Sequence, residues 1–180
     1  MTTDVFVVPL KDFDLAKERL RAGGATDVTD LARSLAVNVL AHCAPRHVIV
    51  LSESTVITRF ALEQGVEVRE SGAASLNEAV QEAYGALGAR YERLLIVHGD
   101  LRTPDGLGSF APPPGVTIVT DHHGRGTNLL VVPTGLDYRF AYGPDSAERH
   151  RLEAERLGVA TSVITDSPWR FDVDEPEDLT

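Results

Sequence analysis

Short apolar runs alternate with amphipathic segments along the whole chain, and this alternation constrains the fold more than any other feature. "DVFVVPL" (4–10) has the composition of a buried strand, and "DLAKERL" (14–20) that of a short helix ended by Gly23-Gly24. The stretch 27–43 places Val28, Leu31, Leu35 and Val39 at three- and four-residue steps, which predicts a longer helix with Asp27 as its cap. "RHVIVLS" (46–52) is a second strand, followed by a helix that stops at Gly65. "VEVRE" (66–70) is a third strand, and Ser75 with Glu78 three residues on is a capping-box signal for the next helix. A fourth strand spans 92–100 and ends on Asp100, and two more, 115–121 and 127–133, flank "HHGRG". A capped helix over 145–158 and a last strand over 159–164 complete the pattern. Strands alternating with helices in this way predict an α/β chain with a mixed, mostly parallel sheet covered by helices on both faces.

One domain spanning 1–180 is expected, since no internal repeat or long linker divides the chain. With 27 Asp+Glu against 17 Lys+Arg, the net charge of −10 argues against broad nucleic-acid or anionic-membrane binding. A polyanionic substrate would then need local lysines or a metal. No apolar run approaches the ~20 residues of a membrane span, and the acidic start is unlike a secretory signal, so the expected location is cytoplasmic. The single cysteine, Cys43, falls in an apolar helical pattern and is expected to be structural.

In a parallel sheet, ligands bind beyond the carboxyl ends of the strands. "PLK" with Lys11, "HGD" with Asp100 and "DVD" with Asp172 and Asp174 are expected there. "FDVD" alternates like a strand end, with Phe171 and Val173 on one face and both aspartates on the other. Two carboxylates so close repel unless a cation lies between them. With Asp100 they could form a three-oxygen magnesium site. The plainer alternative is that Asp174 or Glu175 caps a terminal helix with Pro176 in its first turn, and spacing alone leaves both open. "HHGRGTN" (122–128) suits an anion or a simple hairpin turn, and "YGPDSAERH" (142–150) an anion or a helix cap. The phosphate loop GxxxxGK[ST], the GxGxxG fingerprint, the HExxH zinc spacing and the GxSxG elbow are all absent from the sequence.

Taken together, "VPLKDFDLAKERL", "LNEA", "GDL", "DHHGRGTN", "YGPDSAERH" and "DVDEPEDL" occur in the order found in the CofC/FbiD family of guanylyltransferases of deazaflavin coenzyme F(420) biosynthesis, and nearly the whole chain resembles that family. The resemblance implies a glycosyltransferase-A-like, partly Rossmann-like nucleotidyltransferase fold. It implies transfer of GMP from GTP to phosphoenolpyruvate or 2-phospho-L-lactate with release of pyrophosphate. By position it implies magnesium (or manganese) on Asp100, Asp172 and Asp174, and Lys11 against the acceptor's phosphate. Thr127, Gly143 and Ser146 would surround the acceptor's phosphate and carboxylate, while Lys17, Arg19 and Asn77 would bind the nucleotide. A homodimer is compatible with it. "VHGDLRTP" departs from the family pattern, so that His98 and Gly99 are expected to reshape the donor side, and the segment from Asp100 to Val116 is short. Two alternatives stand: a nucleotidyltransferase with another phospho-acid or sugar-phosphate acceptor, and a catalytically silent nucleotide-binding regulator.

Overall fold

The computed structural model describes residues 3–179. In chain order its elements are β1 (Asp4–Pro9), α1 (Glu18–Ala22), α2 (Val28–Cys43), β2 (His47–Ser52), α3 (Thr55–Glu63), β3 (Glu67–Glu70), α4 (Leu76–Leu87), β4 (Arg93–Val97), β5 (Val116–Thr120), β6 (Thr127–Pro133), α5 (Ser146–Arg156) and β7 (Thr161–Ile164). Short 3-10 turns follow β4 at Leu107–Ser109 and β7 at Pro168–Arg170 and Pro176–Leu179. The seven strands form one sheet in the order β3-β2-β1-β4-β6-β5-β7. Only β6 runs against its neighbours, so the mixed, mostly parallel sheet expected from the alternation is the one observed.

Strand periodicity distributes the apolar residues between two layers. Phe6 and Val8 point to the layer holding α2, α3 and Trp169, whereas Val5 and Val7 point to the layer of α4 and α5 with Tyr84 and Tyr138. Cys43 is fully buried in the first layer, and that burial pushes its thiol up to about 12, so it is an inert packing group. The chain leaves β1 toward β2 and leaves β4 toward β5, in opposite directions along the strand order, so the order switches between β1 and β4 and a crevice opens at their carboxyl ends.

Several local expectations are corrected. The first helix begins at Glu18 rather than 14, because Asp12 closes a turn, its carbonyl accepting from Leu15 N–H and its carboxylate from Asp14 N–H. Asp27 and Asp145 precede their helices in the left-handed conformation (φ 56° and 55°), and neither side chain accepts a capping bond. Ser75 does cap: its Oγ accepts from Glu78 N–H, and Glu78 in return accepts from Ala74 N–H. "FDVD" is not a strand; only Asp172 makes a bridge, to Leu101. Phe171 is 47% exposed while Val173 is 4% exposed, so the two do not share a face. The terminal cap is also reversed. Asp178 Oδ2 accepts from the backbone N–H groups of Asp174 and Glu175, fixing the loop that carries the acids.

Candidate active site

A cleft of about 750 Å³ opens at the carboxyl ends of β1 and β4. Lys11, Lys17, Arg19, Asp100, Asp172 and Asp174 all line it, although they come from three separate stretches of the chain. Lys11 leaves the end of β1 exposed, and among the described residues it pairs with neither neighbouring acid. Asp12 instead accepts from Ser54 Oγ, and Asp14 from Thr29 Oγ1.

Lys17 is the pivot. Its backbone is left-handed (φ 60°), which turns its side chain inward until it is 6% exposed. The ammonium donates to Asp100 Oδ2 and lies 3.7 Å from Asp174 Oδ1. Arg19 is far more exposed and donates to Asp174 Oδ2 and Glu175 Oε1 at 3.2 and 3.1 Å. Asp172 stands apart from both cations. Burial first, and the neighbouring Asp100 second, raise its carboxyl above the ordinary value, while a bond from Asn128 Nδ2 (3.2 Å) opposes the rise.

Asn128 owes its aim to a β-bulge. The pairing of β5 with β6 shifts between Val119 and Thr120, so Asn128 is the unpaired extra residue. Thr127 therefore turns toward α5, while Asn128 turns to Asp172 and the Trp169 carbonyl. Thr127 and Ser146 come together from β6 and α5: Ser146 Oγ donates to Thr127 Oγ1 at 3.0 Å, and both are 2% exposed. His150 completes this group. Its Nε2 accepts from Ala141 N–H, so its proton sits on Nδ1 and points at Thr127 Oγ1, 3.2 Å away. Burial, the largest cause, lowers its pKa to about 4, so the imidazole is neutral. Thr127 Oγ1 thus accepts twice, and its own hydrogen remains for a further partner. Gly143, one turn before α5, has φ 117°, a conformation that side chains rarely adopt.

Asn77 is placed differently from the nucleotide contact implied for it. Its amide grips the Tyr142 backbone on both sides, accepting from Tyr142 N–H at 2.6 Å and donating to Tyr142 C=O at 3.1 Å. Binding a nucleotide would require breaking that pair, and Asn77 is outside the cleft lining. His98 and Gly99 line the cleft together with Lys17 and Asp100, and the His98 ring also meets Tyr142. Asn128, Tyr142 and His150 were not singled out from the sequence. All three lie inside the quoted "GTN" and "YGPDSAERH" segments, but their roles depend on the bulge and on the packing of α5.

A hard cation suits the donor set, since Asp100 Oδ1 is buried with no hydrogen-bond partner among the described residues, beside the Asp172 carboxyl. Among the described residues, however, no three His, Cys, Asp or Glu side chains converge on one point, because Lys17 stands between Asp100 and Asp174. Full three-carboxylate ligation would require that ammonium to leave. No helix among the described residues is long and apolar enough to cross a membrane.

The chain is similar to known proteins in both sequence and fold. Residues 4–180 match the family described as guanylyl transferase CofC like. A phosphoenolpyruvate guanylyltransferase of Roseiflexus castenholzii is 34% identical, over 96% of this chain and 84% of its own. One of Conexibacter woesei is 32% identical, over 96% and 84%. In fold, the chain is similar to a nucleotidyl transferase from Methanothermobacter (TM-score 0.68, 16% identity, 98% of this chain and 93% of that one). It is similar also to 4-diphosphocytidyl-2C-methyl-D-erythritol synthase from Anaerococcus prevotii (TM-score 0.66, 10% identity, 99% and 95%).

Proposed function

The chain belongs to the CofC-like guanylyl transferase family and is a nucleotidyltransferase, and from that premise we propose that it transfers GMP from GTP to a phosphorylated three-carbon acid in coenzyme F(420) biosynthesis, in the cytoplasm. Phosphoenolpyruvate is the first acceptor to expect, because it is the one named in the relatives; 2-phospho-L-lactate is the second. The observation that carries the proposal is the lysine-bridged set of aspartates at the mouth of a cleft bordered by Lys11.

An oxygen of the acceptor's phosphate attacks the α-phosphorus of GTP. The new P–O bond forms as the bond to the β-phosphate bridge breaks, and pyrophosphate leaves with the electron pair. The attacking phosphate is already ionised, so no general base is needed and catalysis is positioning and charge neutralisation. Asp100, Asp172 and Asp174 would hold magnesium or manganese, which when bound would supply charge neutralisation. Asn128 orients Asp172 for that task. Lys17 and Arg19 exchange their carboxylate partners for the triphosphate, and Lys11 binds the acceptor's phosphate as a point charge. The Thr127 hydroxyl, with Ser146 and the Gly143 turn, receives the acceptor. Asn77 serves indirectly by holding Tyr142.

Pyrophosphate release across four NTPs and phosphoenolpyruvate, 2-phospholactate and 3-phosphoglycerate tests the proposal. Release with GTP and one of the first two acids is expected. Release only with another acceptor would make this a different nucleotidyltransferase. GTP binding without release under any acceptor would make it a regulator.

A further inference from the structure

The two ends of the sheet are finished differently. β3, at one end, carries Glu67, Arg69 and Glu70 in its four residues, and such charges discourage a further strand from pairing. β7, at the other end, reads Thr161-Ser162-Val163-Ile164 and has neither a charge nor a proline. The whole stretch 157–165 lacks acidic and basic side chains, in a chain of net charge −10. Among the described residues β7 has one strand neighbour, β5, so its outer side is unpaired. The Ala160 carbonyl accepts from Val116 N–H of β5. Bonding direction alternates along a strand, so Ser162 and Ile164 also turn their backbone groups to β5, while Thr161 and Val163 turn theirs outward. Val163 is 45% exposed, and Arg151 and Glu155 of α5 line a groove beside it and Thr161.

We propose that β7 pairs antiparallel with β7 of a second copy, about a twofold axis at Ser162, so that one sheet runs through a homodimer. An uncharged edge with free N–H and C=O groups is a template for another strand, and a twofold contact requires that the edge fit itself. This edge does. With Ser162 on the axis, Thr161 stands opposite the partner's Val163, and Val163 opposite the partner's Thr161. Each pair joins two outward-turned residues and exchanges two hydrogen bonds, while the two Ser162 residues form the non-hydrogen-bonded pair between them. Moving the register by one residue would set outward-turned against inward-turned residues and lose those bonds. Thr161 and Val163 are both β-branched, which suits packing across a strand pair. Arg151 and Glu155 have opposite signs, so the axis joins two grooves of mixed charge rather than two like charges. A neutral edge is also where two copies of an acidic chain can approach. No residue of β7 lines the cleft, so the cleft stays open in both copies.

Sedimentation of the full chain from about 1 to 100 μM tests the pairing. Wild type should sediment at twice the 19.5 kDa mass of one chain. Val163→Lys should raise the dimer Kd roughly ten- to hundredfold, because it puts a charge into both pairs. Its far-UV circular dichroism should match that of wild type, which separates lost pairing from lost folding. Ser162→Cys should give a disulfide-linked dimer on oxidation. A non-hydrogen-bonded antiparallel pair holds its Cα atoms about 4.5 Å apart, within disulfide reach. Cys43 does not compete, because it is fully buried. A wild type that stays monomeric across that range would overturn the inference and leave the edge to solvent or to a different partner. A dimer that Val163→Lys leaves intact, or that Ser162→Cys does not cross-link, would overturn it by putting the contact elsewhere.

Discussion

The ammonium of Lys17 is hydrogen-bonded to Oδ2 of Asp100, 83 positions further along the chain, and lies within 3.7 Å of Asp174. One buried cation thereby balances two carboxylates that would otherwise repel each other, while Asp172 is left to its raised pKa. The lysine holds the place between the carboxylates that a divalent ion would take, so an ion bound there would compete with the ammonium for the same charges.

Lys17→Met should separate those arrangements. Without nucleotide the variant should lose about 1–3 kcal/mol of stability, since the partly buried Asp100 carboxylate loses its partner. Added magnesium should then raise the Tm of the variant more than that of wild type. Thermal unfolding with and without the ion measures this directly. Equal responses would show that Lys17 does not compete for the site.

Asp100→Asn and Asp174→Asn should each reduce turnover by two or more orders of magnitude, or ~3 kcal/mol of transition-state stabilisation. Steady-state pyrophosphate release is the readout. Turnover in excess chelator equal to that in magnesium would contradict the metal assignment.

Lys11→Ala should raise the acceptor's KM strongly and leave GTP binding, measured without acceptor, nearly unchanged. Lys11 is free of Asp12 and Asp14 among the described residues, so its removal should not cost a surface ion pair. A matching loss of GTP affinity would move it to the donor triphosphate, and unchanged kinetics would return it to solvent.

His150 gives a pH dependence with a definite sign. Its folded pKa of about 4 lies below the ordinary 6.5, chiefly because burial disfavours the charged ring. The unfolded chain therefore binds the proton first as pH falls. Stability should be intact above about 6.5 and decline toward 4, by an amount on the order of 3 kcal/mol. His150→Gln should flatten that slope in denaturant titrations across the same range, whatever it does to stability at neutral pH. A variant that retains the wild-type slope would assign the proton uptake to other groups.

The alternation of apolar runs was sufficient to foresee the sheet, its mostly parallel sense and the edge where Lys11 and Asp100 emerge, because strand period and buried composition are local properties. The quoted motifs likewise carried the family membership. Ser75 was legible as a cap because a capping box lies within a few residues. Asp27 and Asp145 misled because cap composition does not report backbone handedness, and both residues adopt the left-handed conformation.

The charge arrangement at the site was decided only by tertiary structure. Nothing local to "LAKERL" brings Lys17 to Asp100; the left-handed turn and the crossing of three chain segments do. "FDVD" alternates like a strand, yet the bridge to Leu101 and the Asp178 bonds set its course, so Asp172 and Asp174 meet different partners. The bulge at Asn128 reverses which layer Thr127 and Asn128 face relative to the rest of β6, and His98 meets Tyr142 only because β4 and the segment before α5 reach the same edge. Local composition determines which residues are buried and which repeat with the period of a strand. Contacts between residues distant in sequence depend on how the strands are ordered, and a single sequence does not encode that order in any local pattern.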